Sequence, residues 1–177
     1  MNNASSQPDV PLDAAGATWC WHADDEAATD ALGAAVAQAL PRPAVLALHG
    51  DLGAGKTRLV RAIARGLSLD SERVTSPTFV LLHEYWGETP LFHFDAYRLA
   101  GEEEFWQLGA EEYLDGALGG VTAIEWAERV AGCLPPERLE IRIDVRGETR
   151  RQFTFAAHGE GYLQALARLK ELLTAGA

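Results

Sequence analysis

The apolar positions change period several times along the chain, and each change marks an element. Ala28, Leu32, Ala35, Val36 and Ala39 recur at helical spacing, with Asp24 or Asp25 placed to cap the helix. Pro41 and Pro43 end it near Leu40. Ala44-Val45-Leu46-Ala47-Leu48 is an unbroken apolar run, as expected of a strand covered on both faces. Gly50 to Gly55 is a loop, and from Lys56 the period is helical again, with Leu59, Val60, Ile63, Ala64 and Leu67 on one face. Thr78 to Trp86 and Leu91 to Phe94 read as strands, and the spacer Gly87-Glu88-Thr89-Pro90 is short enough for a hairpin. If the second of these runs is parallel to the Val45 strand, the first is antiparallel and the sheet is mixed.

An acidic helical stretch covers Glu102 to Leu114, and Gly119-Gly120 leads into the strand Val121-Thr122-Ala123-Ile124. Leu139 to Val145 and Gln152 to Phe155 alternate and make a second hairpin across Gly147-Glu148-Thr149. Tyr162 to Leu173 is an amphipathic last helix, and Thr18-Trp19-Cys20-Trp21 is a short first strand. Residues 1–17 are small and polar with Pro and Gly, which predicts a disordered tail before one domain spanning 18–177. The fold class this predicts is α/β: a single-domain three-layer sandwich with helices flanking a mixed sheet, and P-loop NTPase-like because Gly50-Asp51-Leu52-Gly53-Ala54-Gly55-Lys56-Thr57 joins a strand to a helix.

Composition narrows the function. Asp and Glu number 26 against 15 Lys plus Arg, a net charge of −11. So negative a surface repels phosphate backbones and anionic lipid, so no stable direct binding to nucleic acid or membrane is expected. Cys20 and Cys133 form neither a Cys-x-x-Cys nor a disulfide framework, which points to a reduced, cytoplasmic compartment. No apolar run reaches the ~20 residues of a membrane span, and the first residues lack the basic and apolar regions of a secretory signal. The only lysines are Lys56 and Lys170, so a lysine within a glycine-rich loop is no by-product of composition.

That loop is Gly50-Asp51-Leu52-Gly53-Ala54-Gly55-Lys56-Thr57, a match to G-x-x-x-x-G-K-[ST] with a strand before it and a helix after it. Glycines let consecutive N–H groups turn inward around phosphate oxygens, and the helix directs its positive end at the same anion. Lys56 is placed to neutralise the outer phosphates and Thr57 to ligate Mg²⁺. Asp95 and Glu125 each follow a predicted strand, at the ends where open α/β sheets bind ligands. If both strands run parallel to Val45–Leu48, both carboxylates face the loop. The Ser76-Pro77-Thr78 hydroxyls are either switch groups or an ordinary loop before a strand. His49, His83 and His93 lack metal-ligand spacing and read as core or supporting histidines. Trp19, Trp21, Trp86 and Trp106 read as packing; Trp126 stands apart because it follows a candidate metal carboxylate. Arg146, Arg150 and Arg151 are either solvated hairpin charges or nucleotide contacts.

In this order and spacing, His49 to Thr57, Ser76-Pro77-Thr78-Phe79, Glu84-Tyr85, His93-Phe94-Asp95-Ala96-Tyr97-Arg98-Leu99 and Ile124-Glu125-Trp126 resemble the TsaE family, the small ATPases of bacterial tRNA threonylcarbamoyladenosine synthesis. The likeness runs from about residue 24 to 155 and leaves out the N-terminal tail and the last helix. It implies that Gly53, Ala54, Gly55, Lys56 and Thr57 bind the phosphates of ATP or ADP, and that Thr57 and Glu125 ligate Mg²⁺. It implies that Asp95 acts at the metal and γ-phosphate, Thr78 belongs to a switch segment, and Trp126 serves activity or partner coupling. Glu26 and Thr29 would border the adenine, and a hairpin arginine, Arg150, would close over the nucleotide. Arg58 stands where the family often has a second Thr, beside the nucleotide. The implied partners are TsaD and TsaB homologues, whose complex ATP hydrolysis resets between cycles.

Three other functions compete with a partner-driving ATPase. A small-molecule kinase would bring an Arg-rich lid, but Thr75 to Val130 holds only Arg98 and Arg129. A GTPase would need Asn-Lys-x-Asp, which neither lysine permits. A nucleotide-dependent adaptor without turnover would keep its function in Glu125→Ala.

Overall fold

The apolar run at Val45 becomes the centre of a seven-stranded sheet. In the computed structural model, which describes residues 18–175, the strands are β1 (Thr18–Ala23), β2 (Ala44–His49), β3 (Leu82–Tyr85), β4 (Leu91–Asp95), β5 (Val121–Glu125), β6 (Arg138–Val145) and β7 (Arg151–His158). The helices are α1 (Glu26–Ala39), α2 (Lys56–Gly66), α3 (Glu102–Gln107), α4 (Glu111–Leu114) and α5 (Glu160–Thr174). The expected tail, residues 1–17, lies outside the described residues.

The sheet order is β1-β7-β6-β2-β5-β4-β3. β6, β2, β5 and β4 run parallel, while β3, β7 and β1 add antiparallel pairs at the two sides. The mixed sheet expected from the short 87–90 spacer is therefore present. Alternation divides β2 between two cores. Leu46 and Leu48 join α1, α2 and α5 on one face, with Leu32, Ile63 and Leu166 among their neighbours. Val45 and Ala47 join Phe94, Phe105 and Val130 on the other. The result is a three-layer α/β domain.

α1 begins where Asp25 accepts from the Ala28 N–H at 2.7 Å, so the second of the two candidate caps is the one used. α1 then crosses α2 at glycine. A Cβ at Gly33 would collide with Ala62, and one at Gly66 would meet Ala37 at 2.7 Å. These absent side chains let the two backbones touch.

Two elements differ from the sequence reading. Residues 78–81 form a turn rather than the start of a strand: the N–H groups of Val80 and Leu81 both donate to the Pro77 carbonyl, and Leu81 takes φ 67°. The acidic helix of 102–114 breaks into α3 and α4, because Gly109 turns left-handed (φ 74°) between them.

Candidate functional site

Gly50 opens the loop after β2 with φ 139°, and a Cβ there would lie 2.5 Å from the Ile143 carbonyl oxygen of β6. Gly53 and Gly55 take φ 78° and 110°, conformations that side chains resist. The chain then enters α2 directly at Lys56. These glycines allow the loop to curl back over the carboxyl ends of the parallel strands. Lys56 is 4% exposed; its Nζ donates to the carbonyls of Gly50 (2.6 Å) and Asp51 (3.0 Å) and lies 3.8 Å from the ring centroid of Trp126. Burial pulls the ammonium below its usual value, while Glu125, Glu128, Asp95 and Asp51 pull the other way.

Opposite the loop, β4 and β5 end together. Asp95 pairs with Glu125 in the parallel register, so the two carboxylates stand side by side on adjacent strand tips. They are 2% and 3% exposed. Glu125 Oε1 accepts from the Thr57 hydroxyl and from His93 Nε2, each at 2.7 Å. Asp95 Oδ2 accepts from the hydroxyls of Ser76 and Thr78, each at 2.7 Å, and Oδ1 from the Tyr97 N–H at 3.0 Å. Each carboxylate thus rests on two side-chain donors that offset its desolvation.

A cleft of about 410 Å³ lies between loop and strand tips, within the roughly 300–1,000 Å³ usual for small-molecule sites. Gly53, Gly55, Lys56, Thr57, Thr78, Asp95, Glu125 and Trp126 all line it, and Arg58 lines it from α2. Trp126 holds a left-handed backbone (φ 59°), unusual for so large a residue, and its ring meets Tyr97 at 4.9 Å. One step outside, His49 Nδ1 lies 3.0 Å from Glu128 Oε2. Burial works to raise the Glu128 carboxyl, but the hydrogen bond to His49, a backbone hydrogen bond and the charges of His49 and Lys56 together outweigh it, and the group sits below its ordinary value.

The residues expected at the nucleotide base lie outside this cleft. Thr29 is buried, its hydroxyl bonded to the Asp25 carbonyl at 3.4 Å, and it does not line the cleft. Glu26 reaches the cleft only through Arg58, which binds Glu26 at 2.8 Å and Asp30 at 3.2 Å. The hairpin arginine that touches the loop is Arg151, not Arg150. Arg151 Nε donates to the Ala54 carbonyl at 2.8 Å, and its Nη1 gathers the carbonyls of Gly147, Glu148 and Arg150. Arg150 packs over Gly147 instead. Arg151 opens β7, whereas Arg150 lies in the turn before it. Strand alternation places His93, read above as a core or supporting histidine, on the same face as Asp95, two residues on.

Hard oxygen donors, a hydroxyl and two carboxylates, suit Mg²⁺. Among the described residues no group of three His, Cys, Asp or Glu forms an all-protein metal cage. The donor set of Thr57, Asp95 and Glu125 fits a magnesium ion.

The family model of "Threonylcarbamoyl adenosine biosynthesis protein TsaE" matches residues 23–153. A tRNA threonylcarbamoyladenosine biosynthesis protein TsaE from Treponema pallidum is 44% identical over 124 residues, 70% of this chain and 90% of the relative. The Bacillus subtilis protein of that name is 45% identical over 119 residues, 67% of this chain and 72% of its own. The crystal structure of Bacillus subtilis YdiB superposes with a TM-score of 0.72 at 34% identity, covering 93% of this chain and 100% of that one. With this fold, this cleft and these relatives, the chain belongs to the TsaE family.

Proposed function

We propose that the chain is a Mg²⁺-dependent ATP hydrolase that serves tRNA threonylcarbamoyladenosine synthesis in the cytoplasm by binding and resetting a TsaD–TsaB complex. One observation carries the enzymatic half: Asp95 and Glu125 stand side by side, nearly fully buried, facing Lys56 and Thr57 of the glycine loop. Family membership and the net charge of −11 support the other half, because an acidic protein serves a tRNA-modifying machine through a protein partner rather than by gripping RNA.

The loop N–H groups and Lys56 bind and orient the triphosphate. Thr57 and Glu125 would hold a magnesium ion, which would neutralise charge on the phosphates. Asp95 would act beside it at the γ-phosphate, its carboxylate fixed by Ser76 and Thr78. The products are ADP and phosphate, with water as acceptor. Catalysis here is positioning and electrostatics rather than covalent chemistry.

Asp95→Asn tests this reading. With TsaD and TsaB present, phosphate release is expected to fall about 100-fold or more while nucleotide affinity stays within about tenfold, since a reaction-specific charge is lost and the loop is kept. Unchanged phosphate release rejects the role of Asp95. A pull-down from the native host, with and without ATP, tests the partners; failure to recover TsaD or TsaB in either condition rejects them.

A further inference from the structure

His93 lies directly behind the cleft. It is fully buried on β4, opposite Ala123 of β5, whose small side chain leaves the imidazole room to reach diagonally to Glu125. Its Nε2 lies 2.7 Å from Glu125 Oε1, the oxygen that also accepts from Thr57. A carboxylate accepts, so Nε2 donates. Nδ1 is buried without a hydrogen-bond partner. A buried polar atom left unpaired is unfavourable. An apolar residue would fill this core position without that penalty, so packing does not explain a histidine here.

We propose that His93 is the positioning residue of the magnesium site. It holds Glu125 through Oε1, together with Thr57, and so presents the carboxylate to the ion in one orientation. Among the described residues no donor reaches Glu125 Oε2, the oxygen left for the ion. The inference rests on the ATPase reading of the same cleft. Removing hydrogen-bond partners of metal ligands typically costs about 10- to 100-fold in metal affinity.

The test uses the full chain and a fluorescent ADP analogue, titrated with Mg²⁺ and also in EDTA. His93→Met keeps volume but removes the donor; His93→Gln places an amide N–H near the position of Nε2. His93→Met is expected to raise the Mg²⁺ concentration needed for half-maximal enhancement of nucleotide binding about tenfold, with affinity in EDTA unchanged. His93→Gln is expected to stay within about threefold of the parent chain, by the same donor logic. Should His93→Met fail to fold, His93→Asn, whose amide stops short of Glu125, takes its place. In a Glu125→Ala background the loss of the donor should change nothing. A parental Mg²⁺ dependence in the donorless variant, or an equal loss in His93→Gln, overturns the role of His93. A parent chain whose nucleotide binding ignores Mg²⁺ overturns the ATPase reading itself, which separates the two failures.

Discussion

The strand-tip wall of the cleft and the α1–α2 seam behind Arg58 handle charge in opposite ways. On the strand-tip wall, Asp95 and Glu125 are withdrawn from water and steadied by side-chain donors: Ser76 and Thr78 for one, Thr57 and His93 for the other. Along the seam, where Arg58 alone of the four reaches the cleft, Glu26, Asp30, Arg58 and Arg65 pair with one another in partly solvated salt bridges. Donors behind a carboxylate fix its orientation, so the first region presents its negative charge to a cation. Opposite charges cancel, so the second region is better suited to hold elements together. Chemistry belongs to the strand tips, and clasping to the seam.

Lys56→Ala, on the loop that faces the strand tips, carries the largest expected effect. It removes the cation bound to the Gly50 and Asp51 carbonyls, and ATP–Mg²⁺ affinity by calorimetry should fall about 100-fold or more, as for loss of charge-assisted hydrogen bonds. Normal affinity in that variant would erase the distinction between the two regions. The paired variants Arg151→Ala and Arg150→Ala sharpen it: the first unties the hairpin from the Ala54 carbonyl and should weaken nucleotide binding about tenfold, the second less than about twofold. Equal effects would show that the hairpin acts through net charge alone. The smallest change is expected of Arg58→Ala, which opens a half-exposed ion-pair cluster. It should lower stability by about 1 kcal/mol or less, an effect that shrinks in high salt, read by thermal unfolding.

The same division decides what could be read from the sequence. The glycine loop, Asp95 and Glu125 are set by local rules: a motif with fixed spacing, and strand ends after apolar runs. The antiparallel β3 followed from the length of one spacer. Long-range contacts hid the rest. Thr78 to Leu81 looked like a strand, but Ser76 and Thr78 bond to Asp95, 19 and 17 positions away, and the backbone turns to allow it. The choice of Arg151 over Arg150 depends on which face of β7 meets the loop, a register set by pairing with both β6 and β1. Thr29 has helical spacing compatible with the cleft, and only the packing of α1 shows it buried. His93 was within reach of alternation and a known β4–β5 register, but that register is itself a tertiary fact.

The glycine crossing of α1 and α2 ties one helix to the other at a distance from any ligand. α2 carries Lys56 and Thr57 at its first turn, and its back rests on α1 where neither Gly33 nor Gly66 can accept a side chain. Even a single methyl added at Gly33 would run into the Ala62–Ile63 backbone of α2, the helix that carries the ammonium and hydroxyl. The vulnerable point of this cleft therefore includes a spot with no polar atom beyond the backbone.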